Sequence, residues 1–299
     1  MSRVPSIQLP LDKQQKCLVD TIRYSQKRAF DYLMPPGDAL LREQISKHYM
    51  VYGTEILGDE LIITNGCQNA VFLALLAICQ PGDTVAIETP TFFNFVRMLE
   101  SLHLRILEIP CSAEEGMSFE ALQFALENHN IKALVSLPNF NNPLGSLMPE
   151  EKKKQIVQLL DFYGIPLIED DVYSDIYFTE NRPLTYKAFD KSGGVLLCSS
   201  FSKTIAPGLR LGWIAPGRFY ERVVALKTLS SVGVSPFPLL AVARFIMQGG
   251  FERGLRKLRQ TLQQQIKSLR ECVLDIFPPG TKVNDPKAGL CCGWNCRSR

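Results

Sequence analysis

One lysine, Lys203, and one arginine, Arg210, lie in a stretch rich in hydroxyl side chains. The unbroken apolar run at residues 195–197 predicts the end of a buried strand, so both side chains would follow its carboxyl end. A guanidinium binds two phosphate oxygens at once, and a lysine amine condenses with an aldehyde. A lysine that meets a phosphate and an aldehyde indicates pyridoxal phosphate, which enzymes usually hold through a Schiff base. The alternative is a surface loop with an ordinary lysine and arginine.

Two short motifs carry a resemblance to a known family. Ser200-Phe-Ser-Lys203 and Pro207-Gly-Leu-Arg210-Leu-Gly212 resemble the lysine motif of fold-type I aminotransferases of class I/II. The resemblance is closest to 2-aminoadipate-type aminotransferases and to the aminotransferase-like effector domains of MocR-type (GntR) regulators. It extends from about Tyr32 to about Gly289. It implies an α/β fold with a mostly parallel sheet flanked by helices, and an incomplete second small domain.

The resemblance also implies an activity. A family member transfers the amino group between an L-amino acid and a 2-oxo acid, and works as a homodimer with pyridoxal phosphate. Lys203 would bond to the cofactor and then act as general base and acid on the substrate α-proton. Decarboxylation and β-elimination use the same cofactor and stay open, as does the choice of amino acid.

The phosphate of the cofactor has two predicted contacts. Residues 61–66 read as a short strand that enters a glycine turn, and residues 70–78 as a buried helix, whose N-terminus favours anions. The matching family motif is usually Gly-Ser-Gln, and here it is Gly66-Cys67-Gln68, with a thiol that hydrogen-bonds more weakly than a hydroxyl. The second predicted contact comprises Ser200, Ser202 and Arg210.

The ring of the cofactor has four candidate contacts. By resemblance, Phe92 stacks on the pyridine, and Asn142, in Asn142-Pro-x-Gly145, binds the phenolate oxygen together with Tyr173. Asp170 in Asp-x-x-Tyr keeps the pyridine nitrogen protonated, which makes the ring an electron sink. Core packing for Phe92 and a plain turn at Asn142 are the alternatives, and a shift of one residue would select Asp171 instead.

Tyr32 is the candidate that would act across subunits. In the family, the matching tyrosine reaches the cofactor phosphate of the neighbouring subunit, so Tyr32 is predicted to bind the cofactor there. A packing tyrosine is the alternative.

These candidates follow predicted strands or begin predicted helices. Strands are predicted at residues 61–64, within 81–90, and at 104–109, 133–137, 165–168 and 195–197. Helices are predicted from residue 41 onward and at 70–78, 119–126, 220–229, 238–247 and 254–272. The expected organisation is an N-terminal arm with a dimer contact at 1–45, a cofactor-binding domain at 46–235, and helices at 236–299 that lead to the small domain.

Composition narrows the class of protein further. Among 299 residues, 33 basic and 30 acidic side chains give a net charge of +3, which makes no electrostatic case for nucleic-acid binding. No long apolar run or signal-peptide core is visible, so no membrane partner and a cytoplasmic location are expected. Nine cysteines without a Cys-x-x-Cys pair predict reduced thiols and no metal site.

The resemblance fails at both ends of the sequence. The segment before Tyr32 is too short for a winged-helix domain, and Pro286-Lys-Ala-Gly289 begins a family strand that residues 290–299 do not continue. We therefore expect a truncated small domain that lacks the arginine for the substrate carboxylate, a role that neither Arg297 nor Arg299 can be assigned. Two alternatives to a working enzyme follow: an effector domain of a MocR-type regulator without its DNA-binding domain, and an inactive fragment.

Overall fold

The fold is built on one eight-stranded sheet whose order is β1-β8-β7-β6-β5-β2-β3-β4. The computed structural model describes residues 11–24, 26–278, 281–283, 285, 287–288, 291 and 294–295. The strands are β1 (Ile62–Thr64), β2 (Thr84–Thr89), β3 (Arg105–Ser112), β4 (Gly116–Met117), β5 (Ile131–Ser136), β6 (Leu167–Asp170), β7 (Val195–Ser200) and β8 (Gly212–Ala215). The strands β3, β2, β5, β6 and β7 run parallel, and β1, β8 and β4 pair antiparallel.

Helices cover both faces of this sheet. They are α1 (Leu11–Tyr24), α2 (Ala39–Val51), α3 (Cys67–Ile78), α4 (Phe93–Ser101), α5 (Phe119–Asn128), α6 (Glu150–Tyr163), α7 (Tyr220–Ser231), α8 (Pro236–Met247) and α9 (Gly250–Ile276). Successive strand residues point to opposite faces, so Leu196 packs in the core beneath α3 and Leu197 in the core with α2 and α8. A sheet buried on both faces explains the continuous apolar runs of its central strands.

The α/β class with a mostly parallel sheet is confirmed, and each predicted strand and helix is present with modest shifts of its ends. The helices α1, α4 and α6 were not predicted. The first residues of α6, Glu150–Lys154, are all charged, so the helical spacing of the apolar residues that follow is not apparent from the sequence. The expected boundary at residues 45/46 falls inside α2, whereas the one at 235/236 coincides with the start of α8.

The C-terminal segment contains one strand pair that was not predicted from its sequence. Strand β9 (Lys282–Val283) pairs antiparallel with β10 (Trp294–Asn295). Between these two strands, the carbonyl of Lys287 accepts from the backbone N–H of Phe178 at 2.7 Å. These strands have two residues each, which is too short to show an alternating pattern in the sequence. The motif ends Pro286 and Gly289, and residues 296–299, lie outside the described residues.

Within the described ranges, no helix combines the length and the apolar composition that crossing a bilayer requires.

Candidate active site

A cavity of about 260 Å³ opens at the carboxyl ends of β6 and β7, beside the N-terminus of α3. In open α/β sheets this edge is where ligands bind. Every residue predicted for the site except Gly66 and Tyr32 lines the cavity. Its lining is Cys67, Gln68, Phe92, Leu137, Asn142, Asp170, Val172, Tyr173, Ser200, Ser202, Lys203, Pro207 and Arg210.

One end of the cavity is built for an anion. Gly66 caps α3 with φ +94°, and the guanidinium of Arg210 lies directly over it, since a Cβ on Gly66 would meet Nη2 at 2.7 Å. Nη2 of Arg210 also donates to the carbonyl of Asn65 at 3.0 Å. Backbone N–H groups in the first turn of a helix have no acceptor one turn earlier. The first-turn amides of Cys67 and Gln68 and the Arg210 charge therefore lie together at this end.

Asp170 provides a buried carboxylate at the end of β6. Its Oδ1 accepts from the backbone N–H of Val172 at 3.1 Å and from Sγ of Cys67 at 3.2 Å. Burial raises the pKa of Asp170 to about 6, against the hydrogen bonds from Cys67 and Val172 that lower it. Near neutral pH Asp170 is thus an anion that would gain from a cationic ring nitrogen beside it.

The neighbouring carboxylate of Asp171 faces away from the cavity. Its oxygens accept from Tyr49 Oη at 2.8 Å, from Arg182 Nη2 at 2.6 Å and from the hydroxyl of Ser174. The ion pair with Arg182 is buried on both sides. Of the two candidates left open by the sequence, Asp170 is the one that lines the cavity.

The side chain of Cys67 does not point at the anion end, where the sequence had predicted it. Its thiol points at Asp170, so it is not directed at the anion end, and only its backbone N–H is available there. Burial raises the pKa of this thiol well above its usual value, with the negative charge of Asp170 adding to the effect. Cys67 is a neutral donor to the carboxylate.

Lys203 lies in the turn that follows β7, half-buried in the cavity. Its Nζ is 5.6 Å from the centre of the Tyr173 ring. Burial lowers the pKa of Lys203, and the negative charge of Asp170 partly opposes this. Phe201 anchors the turn, because its ring packs on Trp213 at 4.7 Å and its N–H donates to the carbonyl of Leu211.

Asn142 and Tyr173 bring two polar groups to one wall of the cavity. Nδ2 of Asn142 lies 3.5 Å from Oη of Tyr173, and Oδ1 lies 3.6 Å from Sγ of Cys291. Phe92 precedes α4, and its ring packs edge-on against Phe93 and Phe95 at 5.0 and 5.8 Å. Phe92 is thus both packed and exposed to the cavity.

Tyr32 lies elsewhere and is 79% exposed. It lines a separate surface groove of about 380 Å³ with Phe30, Val234 and Phe237. The structure therefore does not bring Tyr32 together with the other site residues of its own chain.

Sequence reasoning missed Leu137, Val172 and Pro207 in the wall, and also Glu88 behind it. Glu88 is 1% exposed at the end of β2 and accepts hydrogen bonds from the loop that carries Asn142. A single acidic residue at the end of the apolar run Val85–Ile87 was the available signal. It could have been noticed as a carboxylate at a parallel strand's carboxyl end.

The arrangement fits pyridoxal phosphate. The cradle of Gly66 and Arg210 suits its phosphate, Asp170 suits its ring nitrogen, and Lys203 in the same cavity suits its aldehyde. Taken together, the fold is that of fold-type I pyridoxal-phosphate-dependent proteins, and the cavity holds groups that suit this cofactor.

Comparison with known proteins defines the family. The chain matches the family described as aminotransferase class I and II over residues 8–298. It therefore belongs to the class I and II aminotransferase family.

Two similar curated proteins are regulators. The chain is 38% identical over 288 residues to the uncharacterized HTH-type transcriptional regulator YjiR of Escherichia coli strain K12, covering 96% of this chain and 61% of that protein. It is 35% identical to a second such regulator of the same strain, YdcR, covering 94% of this chain and 60% of that one. The chain thus spans about three fifths of the length of these relatives.

Similar solved structures are aminotransferases. A Pyrococcus horikoshii kynurenine aminotransferase superposes with a TM-score of 0.89 at 26% identity, over 97% of this chain and 73% of that one. The α-aminoadipate aminotransferase LysN of Thermus thermophilus gives a TM-score of 0.89 at 23% identity, with 97% and 73% covered, and supports the fold alone.

Proposed function

We propose that this chain is a pyridoxal-phosphate-dependent aminotransferase that transfers the amino group between an L-amino acid and a 2-oxo acid. The observation that carries the proposal is the presence of Lys203 and Asp170 in one cavity with an anion cradle at its end. These are the three groups that the aldehyde, the ring nitrogen and the phosphate of the cofactor require.

Each residue has a defined task in this proposal. When bound, pyridoxal phosphate supplies the electron sink that stabilises negative charge at the substrate α-carbon. Asp170 keeps the ring nitrogen protonated, and Asn142 and Tyr173 bind the ring oxygen. Lys203 would hold the cofactor through its amine, and the same amine, when free, would take the α-proton of the substrate. Burial favours this role because it lowers the pKa of Lys203 and raises the share of neutral amine.

The remaining contacts bind the cofactor. Phe92 packs against one face of its ring. The residues assigned to the phosphate are Gly66, Cys67, Gln68, Ser200, Ser202 and Arg210, with Cys67 acting through its backbone N–H.

We further propose a homodimer in which Tyr32 reaches the cofactor phosphate of the partner subunit. The support is that Tyr32 is exposed and lies in an apolar groove beside Phe30 and Phe237, outside its own chain's cavity. A cytoplasmic location is part of the same proposal. It is supported by the cysteines of the described residues, all of them free thiols, which suit a reducing compartment.

A second candidate function is a ligand-sensing effector domain of a MocR-type regulator. The observation that favours it is the identity of 38% to a regulator of which this chain spans only 61%. An inactive form also stays a candidate. This candidate is favoured because the two cations among the described lining residues, Lys203 and Arg210, are both already assigned to the cofactor, which leaves neither for the substrate carboxylate.

Reduction with borohydride tests the proposal. It fixes the cofactor on the amine that carries it, and peptide mapping by mass spectrometry should find the label on Lys203 alone. Lys203→Ala should lose the label, and Lys132→Ala, which removes an exposed lysine outside the cavity, should keep it. A label retained in Lys203→Ala would refute the assignment.

A further inference from the structure

Glu88 is a buried carboxylate that the proposed chemistry does not use. It lies at the end of β2, beside β5, and is 1% exposed. Its Oε1 accepts from the backbone N–H of Leu137 at 3.1 Å and from the hydroxyl of Ser136, and its Oε2 accepts from Nδ2 of Asn141. All three donors are neutral. A carboxylate held by neutral donors in the interior is costly, because burial disfavours its charge.

Asn141 ties together the loop that these donors begin. Its backbone N–H donates to the carbonyl of Ser146 at 3.1 Å, and its carbonyl accepts from the N–H of Gly145 at 2.6 Å. Its side-chain Oδ1 accepts from the N–H of Leu144 at 3.4 Å. The side chain of Asn141 therefore links Glu88 on one side to the loop backbone on the other.

The loop held in this way carries part of the cavity wall. Asn142 follows Asn141 directly, and its amide reaches the cavity beside Tyr173. Leu137, whose N–H donates to Glu88, also lines the cavity. Glu88 itself does not.

We propose that Glu88 is a positioning residue: through Asn141 and Leu137 it holds the amide of Asn142 on the ring oxygen of the cofactor. This inference rests on the proposed function, because it needs a cofactor in the cavity. A carboxylate suits the task better than an amide because both of its oxygens accept hydrogen bonds.

Glu88→Gln tests this with minimal change of shape. The amide nitrogen of the new glutamine would face either the N–H of Leu137 or the side-chain amide of Asn141. Rotating the side chain of Asn141 by half a turn would in turn place the amide nitrogen of Asn141 against the N–H of Leu144. Each arrangement leaves one donor facing another. In Glu88→Gln/Asn141→Asp the glutamine amide donates to the aspartate, and Leu144 keeps its acceptor, so the pattern is restored.

The readout is the pH midpoint of the visible band of lysine-bound cofactor. A hydrogen bond from Asn142 withdraws negative charge from the ring oxygen of the cofactor. Without this hydrogen bond, the nearby nitrogen that joins Lys203 to the cofactor would hold its proton more tightly. We expect Glu88→Gln to raise the midpoint by about one pH unit, a tenfold change in proton affinity. The double variant should return it toward the wild-type value. Glu108→Gln, which alters an exposed acid on the adjacent strand β3, should leave it unchanged.

The outcomes separate this inference from the proposed function. No band in the wild type refutes the proposed function. A wild-type band whose midpoint is unchanged in Glu88→Gln refutes the role of Glu88 alone. If Glu88→Gln does not fold, the pH midpoints of Glu88→Gln/Asn141→Asp and of Asn141→Asp are compared instead. Equal midpoints in these two variants would refute the role of Glu88.

Discussion

The thiol of Cys67 lies 3.2 Å from Oδ1 of Asp170, which links the first turn of α3 to the end of β6. This contact connects the first residue of the helix at the phosphate end of the cavity to the residue assigned to the ring nitrogen. The donor to Asp170 is a thiol, and a thiol donates more weakly than a hydroxyl. Asp170 therefore keeps more of its basicity than it would beside a serine.

Changing Cys67 should move the pKa of Asp170 in a predictable direction. Cys67→Ser strengthens the hydrogen bond to the carboxylate and should lower the pKa, whereas Cys67→Ala removes the bond and should raise it, each by about half a pH unit to one unit. The measurement is the pH midpoint at which cofactor affinity falls on acidification. Cys272→Ser, which changes an exposed cysteine, is the control. Equal midpoints in all variants would contradict the role of this contact.

Asp170 should lower the stability of the folded protein and raise its affinity for the cofactor. Its pKa in the folded protein, about 6, is above its ordinary value of 3.8, so it lowers stability at pH above 6, and stability is regained as pH falls from 6 toward 3.8. Asp170→Asn should therefore stabilise the cofactor-free protein at pH 8 by about 1–3 kcal/mol and weaken cofactor binding at least tenfold. Thermal unfolding and cofactor titration measure the two effects. A variant that is less stable and binds the cofactor normally would contradict both.

The buried network around His48 should make stability fall in mild alkali. His48 Nε2 lies 2.8 Å from Asp175 and Nδ1 3.3 Å from Glu252. Burial would lower the pKa of His48, but the charge of Asp175 and the hydrogen bonds to both acids outweigh it and raise the pKa to about 9. The stabilisation is present below pH 6.5 and is lost as pH rises to about 9, by up to about 3 kcal/mol. Urea unfolding across this range should show the loss in wild type and a flatter profile in His48→Gln.

Gly66→Ala should damage the anion cradle beyond the strain of its backbone. A Cβ at Gly66 would meet the guanidinium of Arg210 at 2.7 Å, and φ is +94°. Gly82 offers a matched control, because its φ is +91° and nothing lies within 4 Å of an added Cβ. Both variants should lose about 1–3 kcal/mol of stability, because a residue with a side chain rarely adopts a φ near +90°. Only Gly66→Ala should weaken cofactor binding, about tenfold or more, and equal binding in the two variants would refute the cradle.

Mixing two variants that are each impaired in cofactor binding tests the contribution of Tyr32 across subunits. In a hybrid of Tyr32→Ala and Lys203→Ala chains, one site receives Lys203 from the first chain and Tyr32 from the second. Reshuffled dimers should regain cofactor affinity at that site, while each variant alone stays impaired. Size-exclusion chromatography with light scattering measures the assembly. A monomer, or the absence of recovery after mixing, would count against the partner role of Tyr32.

Most of the residues predicted for the site line one cavity because they follow strands or begin helices, while their roles toward a cofactor stay predictions. Lys203, Asp170 and Asn142 each come after an apolar run, and parallel strands bring their carboxyl ends to one edge. What the sequence could not predict were the directions of side chains. Asp170 and Asp171 are adjacent carboxylates, and only the alternation of side chains along the backbone decides which of them faces the cavity. The thiol of Cys67 points to Asp170, which is distant in the sequence. Glu88 was missed because its partners, at the end of β5 and in the loop that follows, are far from it in the sequence.

The most direct test is the visible absorbance of the purified protein with added pyridoxal phosphate, before and after an amino-acid mixture is added. We expect a Schiff-base band that Lys203→Ala abolishes and that bleaches when amino acids are present. A band that forms without responding would support a cofactor-binding domain that does not turn over substrate. Soluble, folded protein that forms no band would contradict the central claim that this cavity holds the cofactor.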